Sequence, residues 1–231
     1  MAQALKPPLF FPSLCKGHPN LVFDLIGPTD VNEVSEFVMN EFFHRFPLRD
    51  ILQVDKEIRP WIGSYIAHVC SKNFSVVLRD IHRGYRIVAA AINDVDHQER
   101  EAKDINLFTY ADPSARPGWH KICSMLSELN CGLSFTADPI LSMDIIAIGE
   151  SYCNRGLSAL CAQVTVELAE IKGINLIKIE VVNDYMSSML IRIGFKMIKE
   201  IDMNQLQVGG VQPFASTSYA QKARVFIYTL T

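Results

Sequence analysis

One stretch of the sequence combines a buried strand, a polar turn and an amphipathic helix in an order suited to binding a phosphate. Asp144–Ile148 (DIIAI) is apolar and β-branched enough to predict the strand, and Gly149–Arg155 (GESYCNR) is the polar turn. From Gly156 to Ile171 apolar residues recur with helical spacing, and Gly173 is the predicted C-cap. The first N–H groups of a helix lack partners within it, so this turn can bind a phosphate or pyrophosphate through the backbone alone.

The same stretch resembles the loop of the GNAT acyltransferases (GCN5-related N-acetyltransferases), in which a strand, the pattern Q/R-x-x-G-x-G/A and a helix hold the pyrophosphate of acetyl-CoA. The matching residues here are Cys153, Asn154, Arg155, Gly156, Leu157 and Ser158. The middle glycine is in place, whereas Cys153 replaces the usual Gln or Arg and Ser158 replaces the second Gly or Ala. The alternative is an ordinary connection in which Gly156 serves only the turn.

Flanking sequence extends this resemblance from about Leu21 to the C-terminus. Downstream, the predicted strand Ile174–Glu180 is followed by Asn183 and by Gly194-Phe195, similar to the family's N-x-x-A…L-Y-x-x-x-G-F helix. Upstream, Leu21–Leu48 resembles the first strand and helix of the family. It is most similar to the insect arylalkylamine and dopamine N-acyltransferases, whose helix runs into F-F-x-x-E-P-L.

The resemblance implies acyl transfer from acetyl-CoA to a primary amine. The loop would bind the pyrophosphate, and Arg155 would add a charge to a phosphate. Asn183 would contact the pantetheine arm, with a helix N-cap as its alternative role. Three residues of the preceding strand would splay from their parallel neighbour and hydrogen-bond that arm as an added strand does. They are Ile146, Ala147 and Ile148.

Several positions that transfer protons in the family hold residues that cannot do so here. The glutamate of F-F-x-x-E-P-L, the general base of arylalkylamine acyltransferases, corresponds to Phe46. The serines near the last helix correspond to Val182 and Met186, and the general-acid tyrosine corresponds to Leu190. The base must therefore be another residue, a water chain, or absent.

Asp144 is the candidate replacement for the base. In other GNAT members, strand positions nine and eleven before the loop hold the histidines or glutamate that deprotonate the amine, and here these are Asp144 and Ser142. An aspartate at the open end of a buried strand can have a raised pKa and accept a proton through water, while the alternative is a solvated residue at the strand start. His120 and His44 are rival bases because imidazole has a suitable pKa, with surface or packing roles as alternatives.

Hydroxyl and aromatic residues supply further candidates. Ser187, together with Ser188 and Tyr185, would place a hydroxyl near the departing thiolate, unless these residues only pack at a helix N-terminus. Five aromatic residues are candidates for an acceptor pocket, with core packing as the alternative. They are Phe42, Phe43, Phe46, Tyr110 and Trp119.

Composition limits the class of protein. The chain has 231 residues, 49% of them hydrophobic, so it can bury a core and is not disordered. Its net charge of −3 provides no basic stripe, which predicts no nucleic-acid partner. The six cysteines are irregularly spaced, with no C-x-x-C and no ligand-spaced Cys/His cluster, so we predict reduced thiols, no metal site and a cytoplasmic location. The Pro-broken start of the chain predicts neither a signal peptide nor a membrane span.

The order of predicted elements is β-α-α-β-β-α-β-α-β-α-β-β, which indicates one α/β domain. With the resemblance, it predicts the GNAT fold: a mixed central sheet of about seven strands with a splayed parallel pair, flanked by helices. Residues 1–20 form a predicted N-terminal arm, and residues 21–231 a single GNAT acyltransferase domain. Ile51–Ser71 is predicted as one helix bent at Pro60, and Asp94–Asp104 as a charged loop.

The leading functional hypothesis is acetyl transfer from acetyl-CoA to a small arylalkylamine such as dopamine, tyramine or serotonin. One alternative is an acyltransferase for another amine, such as a polyamine or histamine, or for a longer acyl-CoA. A third is a degenerate protein that binds acyl-CoA without turnover, which the replaced proton-transfer residues would favour. We expect a monomer or weak dimer.

Overall fold

The computed structural model describes residues 17–97, 107, 112–137, 139–215 and 221–230. Within them, seven strands form one sheet in the order β1-β2-β3-β4-β5-β7-β6. The strands are β1 (Leu21–Leu25), β2 (Val76–Asp80), β3 (Arg86–Asp96), β4 (Ile140–Ile148), β5 (Leu176–Val181), β6 (Lys196–Asp202) and β7 (Lys222–Thr229). The β4–β5 pair is parallel and every other pair is antiparallel, which confirms the predicted mixed sheet.

Helices cover both faces of the sheet. Those with described bounds are α1 (Val31–Glu41), α2 (Val54–Glu57), α3 (Arg59–Cys70), α4 (Pro117–Asn130), α5 (Leu157–Ile171) and α6 (Asp184–Arg192). The first four pack on one face, and α5 and α6 pack on the other. Strand alternation supplies both cores: in β2, Val77 faces the first group of helices while Val76 and Leu78 face α5.

Two local predictions differ from the structure. The predicted helix Ile51–Ser71 is divided into α2 and α3, with the break at Ile58. Pro60 lies in the first turn of α3, where its missing N–H costs nothing because that donor has no helical partner. The predicted loop at Asp94 is also partly wrong, because β3 continues to Asp96.

Other predictions fall partly or wholly outside the described residues. Of the predicted N-terminal arm, only residues 17–20 are described, and the division into an arm and one domain stays a prediction. Residues 98–104 of the predicted charged loop also lie outside the described ranges.

The parallel strands β4 and β5 separate soon after they meet. Their register contains two residue pairs, Leu141↔Ile177 and Ser142↔Lys178. Beyond these pairs β4 runs on to Ile148 without pairing to β5, so the two strands open a gap. The splayed parallel pair is thereby confirmed.

Candidate active site

A cavity of about 430 Å³ lies where β4 and β5 separate. Its lining comes from the segment after α1, from α4, from the facing edges of the two strands and from the loop between β4 and α5. The cavity therefore joins the predicted phosphate-binding loop to the aromatic residues considered for an acceptor pocket.

The loop between β4 and α5 presents unpaired backbone donors. The first N–H of this region that is bonded within the helix belongs to Leu160, which donates to the Gly156 carbonyl at 3.1 Å. The N–H groups of residues 154–159 have no acceptor among the described residues. Gly156 has a φ of 76°, in the left-handed region, and a Cβ there would meet no atom within 4 Å, so the need for glycine at this turn is conformational. These open donors at a helix N-terminus form a site suited to an anion.

The structure brings most of the predicted loop residues to the cavity. Cys153, Asn154, Gly156, Leu157 and Ser158 line it. The remaining residue, Arg155, lies against the ring of Tyr152. The guanidinium carbon of Arg155 lies 4.9 Å from the centroid of the Tyr152 ring, and Arg155 is not among the described lining residues.

Arg45 is a lining residue that the sequence analysis missed. Its guanidinium donates to the Ile148 carbonyl at 3.1 Å, to Sγ of Cys153 at 3.3 Å and to Oε2 of Glu41 at 2.9 Å. The contact with Cys153 is the largest of the effects that raise the pKa of Arg45. Glu41 and Arg45 have the spacing of a helical ion pair, but only the folded chain places the cation beside the loop.

The strand residues predicted to hold a pantetheine arm divide between two environments. Ile146 and Ile148 line the cavity, whereas Ala147 is buried on the side of α1 and α3. A ligand that adds to the sheet as a strand needs an unpaired strand edge. The segment that contains all three residues has such an edge, because it is not paired to β5.

Asn183 has the N-cap role that was its alternative and also lines the cavity. Its Oδ1 accepts hydrogen bonds from the N–H groups of Tyr185 at 2.8 Å and Met186 at 3.3 Å. The Nδ2 group makes no hydrogen bond with any described residue and is available to a ligand. A contact with the donor stays a prediction.

Asp144 is displaced from the regular alternation of β4 by a bulge. In the register with β3, Ile145 pairs with Ile92 and Met143 pairs with Asn93, so Asp144 has no partner. The extra residue turns Asp144 and Ile145 toward the same side of the sheet, where Tyr65 of α3 is buried. The bulge therefore sets the direction of the Asp144 carboxylate.

Two neutral hydroxyl groups hold the Asp144 carboxylate at the cavity. Tyr65 donates its hydroxyl hydrogen to Oδ2, and Ser142 donates to Oδ1 at 2.8 Å. Burial raises the pKa of Asp144 from 3.8 to about 7, against the effect of these two hydrogen bonds. The neighbouring carboxylates of Asp94 and Glu180 raise this pKa further.

Those two neighbours are each paired with a lysine, whereas Asp144 is not. Asp94 is fully buried and forms an ion pair with Lys72. Glu180 lies 3.0 Å from Nζ of Lys178. Asp144 has no ion-pair partner among the described residues, so it is the carboxylate of this group without a cation beside it, a feature that favours a candidate catalytic residue.

The rival catalytic candidates are not among the described lining residues of the cavity. His120 is exposed on α4, and His44 lies 3.6 Å from Asp55; neither is among the described lining residues. Ser187 is buried in the first turn of α6, where its Oγ donates to the Asn183 carbonyl at 3.1 Å. Ser187 is also not among the described lining residues. The catalytic roles of Asp144, Ser187 and His120 stay predictions.

Aromatic residues form the other end of the cavity. Phe42, Phe43, Phe46 and Trp119 all line it, and the rings of Phe42 and Phe46 stack with centroids 5.2 Å apart. Phe43 and Trp119 are also part of the buried core, which is the packing role given as the alternative, and a role in binding the acceptor stays a prediction. Tyr110, the fifth candidate, lies outside the described residues.

No protein-family model matches the sequence, and no curated protein matches it significantly. Solved structures do match. Arylalkylamine N-acetyltransferase 2 from Aedes aegypti superposes with a TM-score of 0.75 at 18% identity, covering 92% of this chain and 100% of that one. The chain has the GNAT fold.

Further structures with the GNAT fold match over similar lengths. A Drosophila melanogaster polyamine N-acetyltransferase that forms N-acetylagmatine matches with a TM-score of 0.73 at 15% identity, over 91% of this chain and 100% of that one. A chain of the NatC complex bound to Gag peptide and CoA matches with a TM-score of 0.52 at 9% identity, over 92% and 99%. The predicted likeness to insect arylalkylamine N-acetyltransferases is thus confirmed at the level of the fold.

Three further features concern the other sequence predictions. Within the described ranges, no group of three or more His, Cys, Asp or Glu residues is placed to hold a metal ion. The helices of that part of the chain are all too short or too polar to span a bilayer. Five cysteines of that part of the chain are present as thiols: Cys70, Cys123, Cys131, Cys153 and Cys161.

Proposed function

We propose that this protein transfers the acetyl group of acetyl-CoA to the amine of a small arylalkylamine such as tyramine, dopamine or serotonin. The observation that supports this most directly is the Asp144 carboxylate on the wall of the cavity between the splayed strands, which has a pKa of about 7 and no ion-pair partner among the described residues.

The donor end of the cavity fits an acyl-CoA. The open N–H groups of residues 154–159 and the guanidinium of Arg45 suit a pyrophosphate, and the unpaired edge of β4 suits a pantetheine arm. The NatC structure, which has the same fold, is bound to CoA. We assign Cys153–Ser158 to the pyrophosphate, and Ile146, Ala147, Ile148 and Asn183 to the pantetheine arm.

The proposed reaction needs a base and a route for the leaving thiolate. An alkylammonium with a pKa of roughly 10 must lose a proton before it attacks the thioester carbonyl. Asp144 takes this proton through water, a C–N bond forms, the C–S bond breaks, and the CoA thiolate leaves with the electron pair and is protonated. Tyr185 lines the cavity and is 52% exposed, which favours its hydroxyl over that of Ser187 as the proton donor.

The acceptor end of the cavity favours an aromatic amine with one positive charge. The stacked rings of Phe42 and Phe46 offer an apolar wall of the kind against which an aryl group packs. Two other carboxylates line the cavity, but Glu41 is bonded to Arg45 and Glu180 to Lys178. A second ammonium group of a polyamine would therefore find no free counter-charge among the described lining residues.

The test is a thiol-release assay with acetyl-CoA against tyramine, dopamine, serotonin, histamine and spermine between pH 6 and 10. We expect amine-dependent release with the three aryl amines, with kcat rising through an apparent pKa near 7. Preference for spermine would overturn the acceptor assignment. Acetyl-CoA binding without release for any amine would overturn the proposed activity in favour of a binding protein.

A further inference from the structure

Three arginines, none of them among the described lining residues of the cavity, surround the ring of Tyr152. Their guanidinium carbons lie 5.9 Å (Arg83), 5.9 Å (Arg86) and 4.9 Å (Arg155) from the ring centroid. All three arginines are exposed, whereas Tyr152 is 4% exposed. One aromatic ring thus gathers three cations beside the predicted pyrophosphate loop.

These three guanidinium groups make no ion pair and no side-chain hydrogen bond with any described residue. Other arginines of the chain are paired: Arg79 contacts three carboxylates and Arg224 contacts two. Like charges brought together without counter-ions repel one another, so the cluster (Arg83, Arg86 and Arg155) is a site that gains from binding an anion.

Asp80 is a carboxylate near the cluster, and by itself it leaves most of the positive charge of the cluster uncompensated. Asp80 accepts a hydrogen bond from the Tyr152 hydroxyl at 2.6 Å and one from the His82 N–H at 2.9 Å, and it lies near Arg83. One negative charge against three positive charges leaves an excess of about two, which a phosphate monoester at neutral pH matches.

The hairpin that supplies two of the arginines is held in place by its own contacts. Tyr85, between Arg83 and Arg86, has a φ of 60° and donates its hydroxyl hydrogen to Asp24 at 2.7 Å. Its carbonyl accepts a hydrogen bond from Arg79 at 3.0 Å. The turn is therefore anchored to β1 and β2. This fixes the backbone positions of Arg83 and Arg86, which lowers the entropy cost of binding an anion between them.

We propose that Arg83, Arg86 and Arg155 bind the 3′-phosphate of the acyl-CoA donor. In coenzyme A this phosphate monoester lies on the ribose that the pyrophosphate carries, so a pyrophosphate on residues 154–159 brings it next to Arg155. This inference rests on the proposed use of an acyl-CoA and assigns Arg83 and Arg86, on a hairpin far from β4 in sequence, to the donor site.

The test compares CoA with 3′-dephospho-CoA by calorimetric titration of the full chain. We expect the wild-type protein to bind CoA between about ten and a hundred times more tightly, because charge-assisted hydrogen bonds are among the stronger ones. The double variant Arg83→Gln/Arg86→Gln should bring the two dissociation constants within about threefold of each other by weakening CoA alone. Both side chains are exposed, and Arg192→Gln, an exposed arginine at the end of α6, is the matched control that should leave the ratio unchanged.

Several results would overturn the assignment. Equal wild-type affinity for the two ligands would do so while leaving the proposed function intact, and so would a double variant that weakens both ligands equally. Inorganic phosphate that still binds at saturating CoA would show a free-phosphate site instead. A wild-type protein that binds neither ligand would overturn the proposed function itself.

Discussion

Asp144 and Asp80 each accept a hydrogen bond from a tyrosine hydroxyl, and their pKa values shift in opposite directions. Tyr65 donates to Asp144, whose pKa burial raises to about 7. Tyr152 donates to Asp80 at 2.6 Å, and this hydrogen bond lowers the pKa of Asp80 below its ordinary value. The tyrosine is common to both sites, so it cannot explain the difference.

The difference comes first from burial, which raises the pKa of Asp144 by more than the Tyr65 hydrogen bond lowers it, whereas at Asp80 the Tyr152 hydrogen bond outweighs burial. The other neighbours add to the difference. Asp80 also accepts the His82 N–H and lies near the cation of Arg83. Asp144 lies close to the carboxylates of Asp94 and Glu180 and has no cation of its own among the described residues. The same pairing of a tyrosine with an aspartate is therefore a structural link at Asp80 and part of a candidate base at Asp144.

The largest expected effect comes from removing each carboxylate in turn. Asp144→Asn should lower kcat by about 10²–10⁴-fold at pH 7, with recovery at high pH where the amine loses its proton unaided. Asp80→Asn should leave kcat at saturating donor within about twofold, since it touches no reacting atom. Steady-state kinetics from pH 6 to 10 measures both, and an unchanged kcat in Asp144→Asn would assign the proton transfer to water or to a histidine.

The two substitutions should also change stability with opposite signs. Because the pKa of Asp144 is raised, the unfolded chain loses this proton first, and wild-type stability falls between about pH 4 and pH 7. Asp144→Asn removes this penalty. Its free energy of unfolding relative to that of the wild type should therefore be higher above pH 7 than at acid pH, by up to about 4 kcal/mol. The lowered pKa of Asp80 stabilises the fold above its unfolded pKa, so Asp80→Asn should be the less stable variant at neutral pH.

Urea denaturation at pH 4.5 and pH 8 distinguishes these signs. Parallel pH dependence in wild type and Asp144→Asn would contradict the raised pKa of Asp144.

Removing the tyrosine hydroxyls should give an intermediate effect at one site only. Tyr65→Phe deletes a hydrogen bond that favours the ionised carboxylate, so the pKa seen in the kcat profile should rise by about one to two pH units. Tyr152→Phe should leave that profile in place. A profile that moves equally in both variants would mean that the base is not Asp144.

Ser142→Ala should give the smallest shift of this series, in the same direction as Tyr65→Phe. Its hydroxyl donates to Asp144 at 2.8 Å, but it lowers the pKa of Asp144 less than Tyr65 does. We expect the apparent pKa in the kcat profile to rise by less than about one pH unit, because a hydrogen bond from a neutral hydroxyl changes the pKa of a carboxylate less than burial does. Ser124→Ala is the control and should leave the profile unchanged, because Ser124 is a half-buried helical serine that donates to the His120 carbonyl.

Sequence patterns predict the parts of this site that are local. The strand, the turn at Gly156 and the helix α5 follow from periodicity and a glycine, and the structure contains them where they were expected. The position of Asp144 before the loop follows from the family spacing. These features depend on neighbours in the chain, which a sequence records directly.

Long-range contacts define the parts that the sequence does not reveal. Tyr65 and Asp144 are 79 positions apart, and Arg45 and Cys153 are 108 positions apart. No periodicity links such pairs, and a bulge that adds one residue to β4 has no signature in an apolar run. The sequence does not predict the break between α2 and α3, because the apolar spacing continues across Ile58 whereas the helix does not.

The two-residue pairing of β4 with β5 has a mechanical consequence. It leaves strands β1–β4 and strands β5–β7 joined along a short seam, so the free chain is expected to open there before it unfolds elsewhere. A donor that hydrogen-bonds both edges would act as an eighth strand and close the seam. Amide hydrogen exchange should then slow on both flanks together when CoA is added, so that occupancy by the donor merges two half-sheets into one cooperative unit.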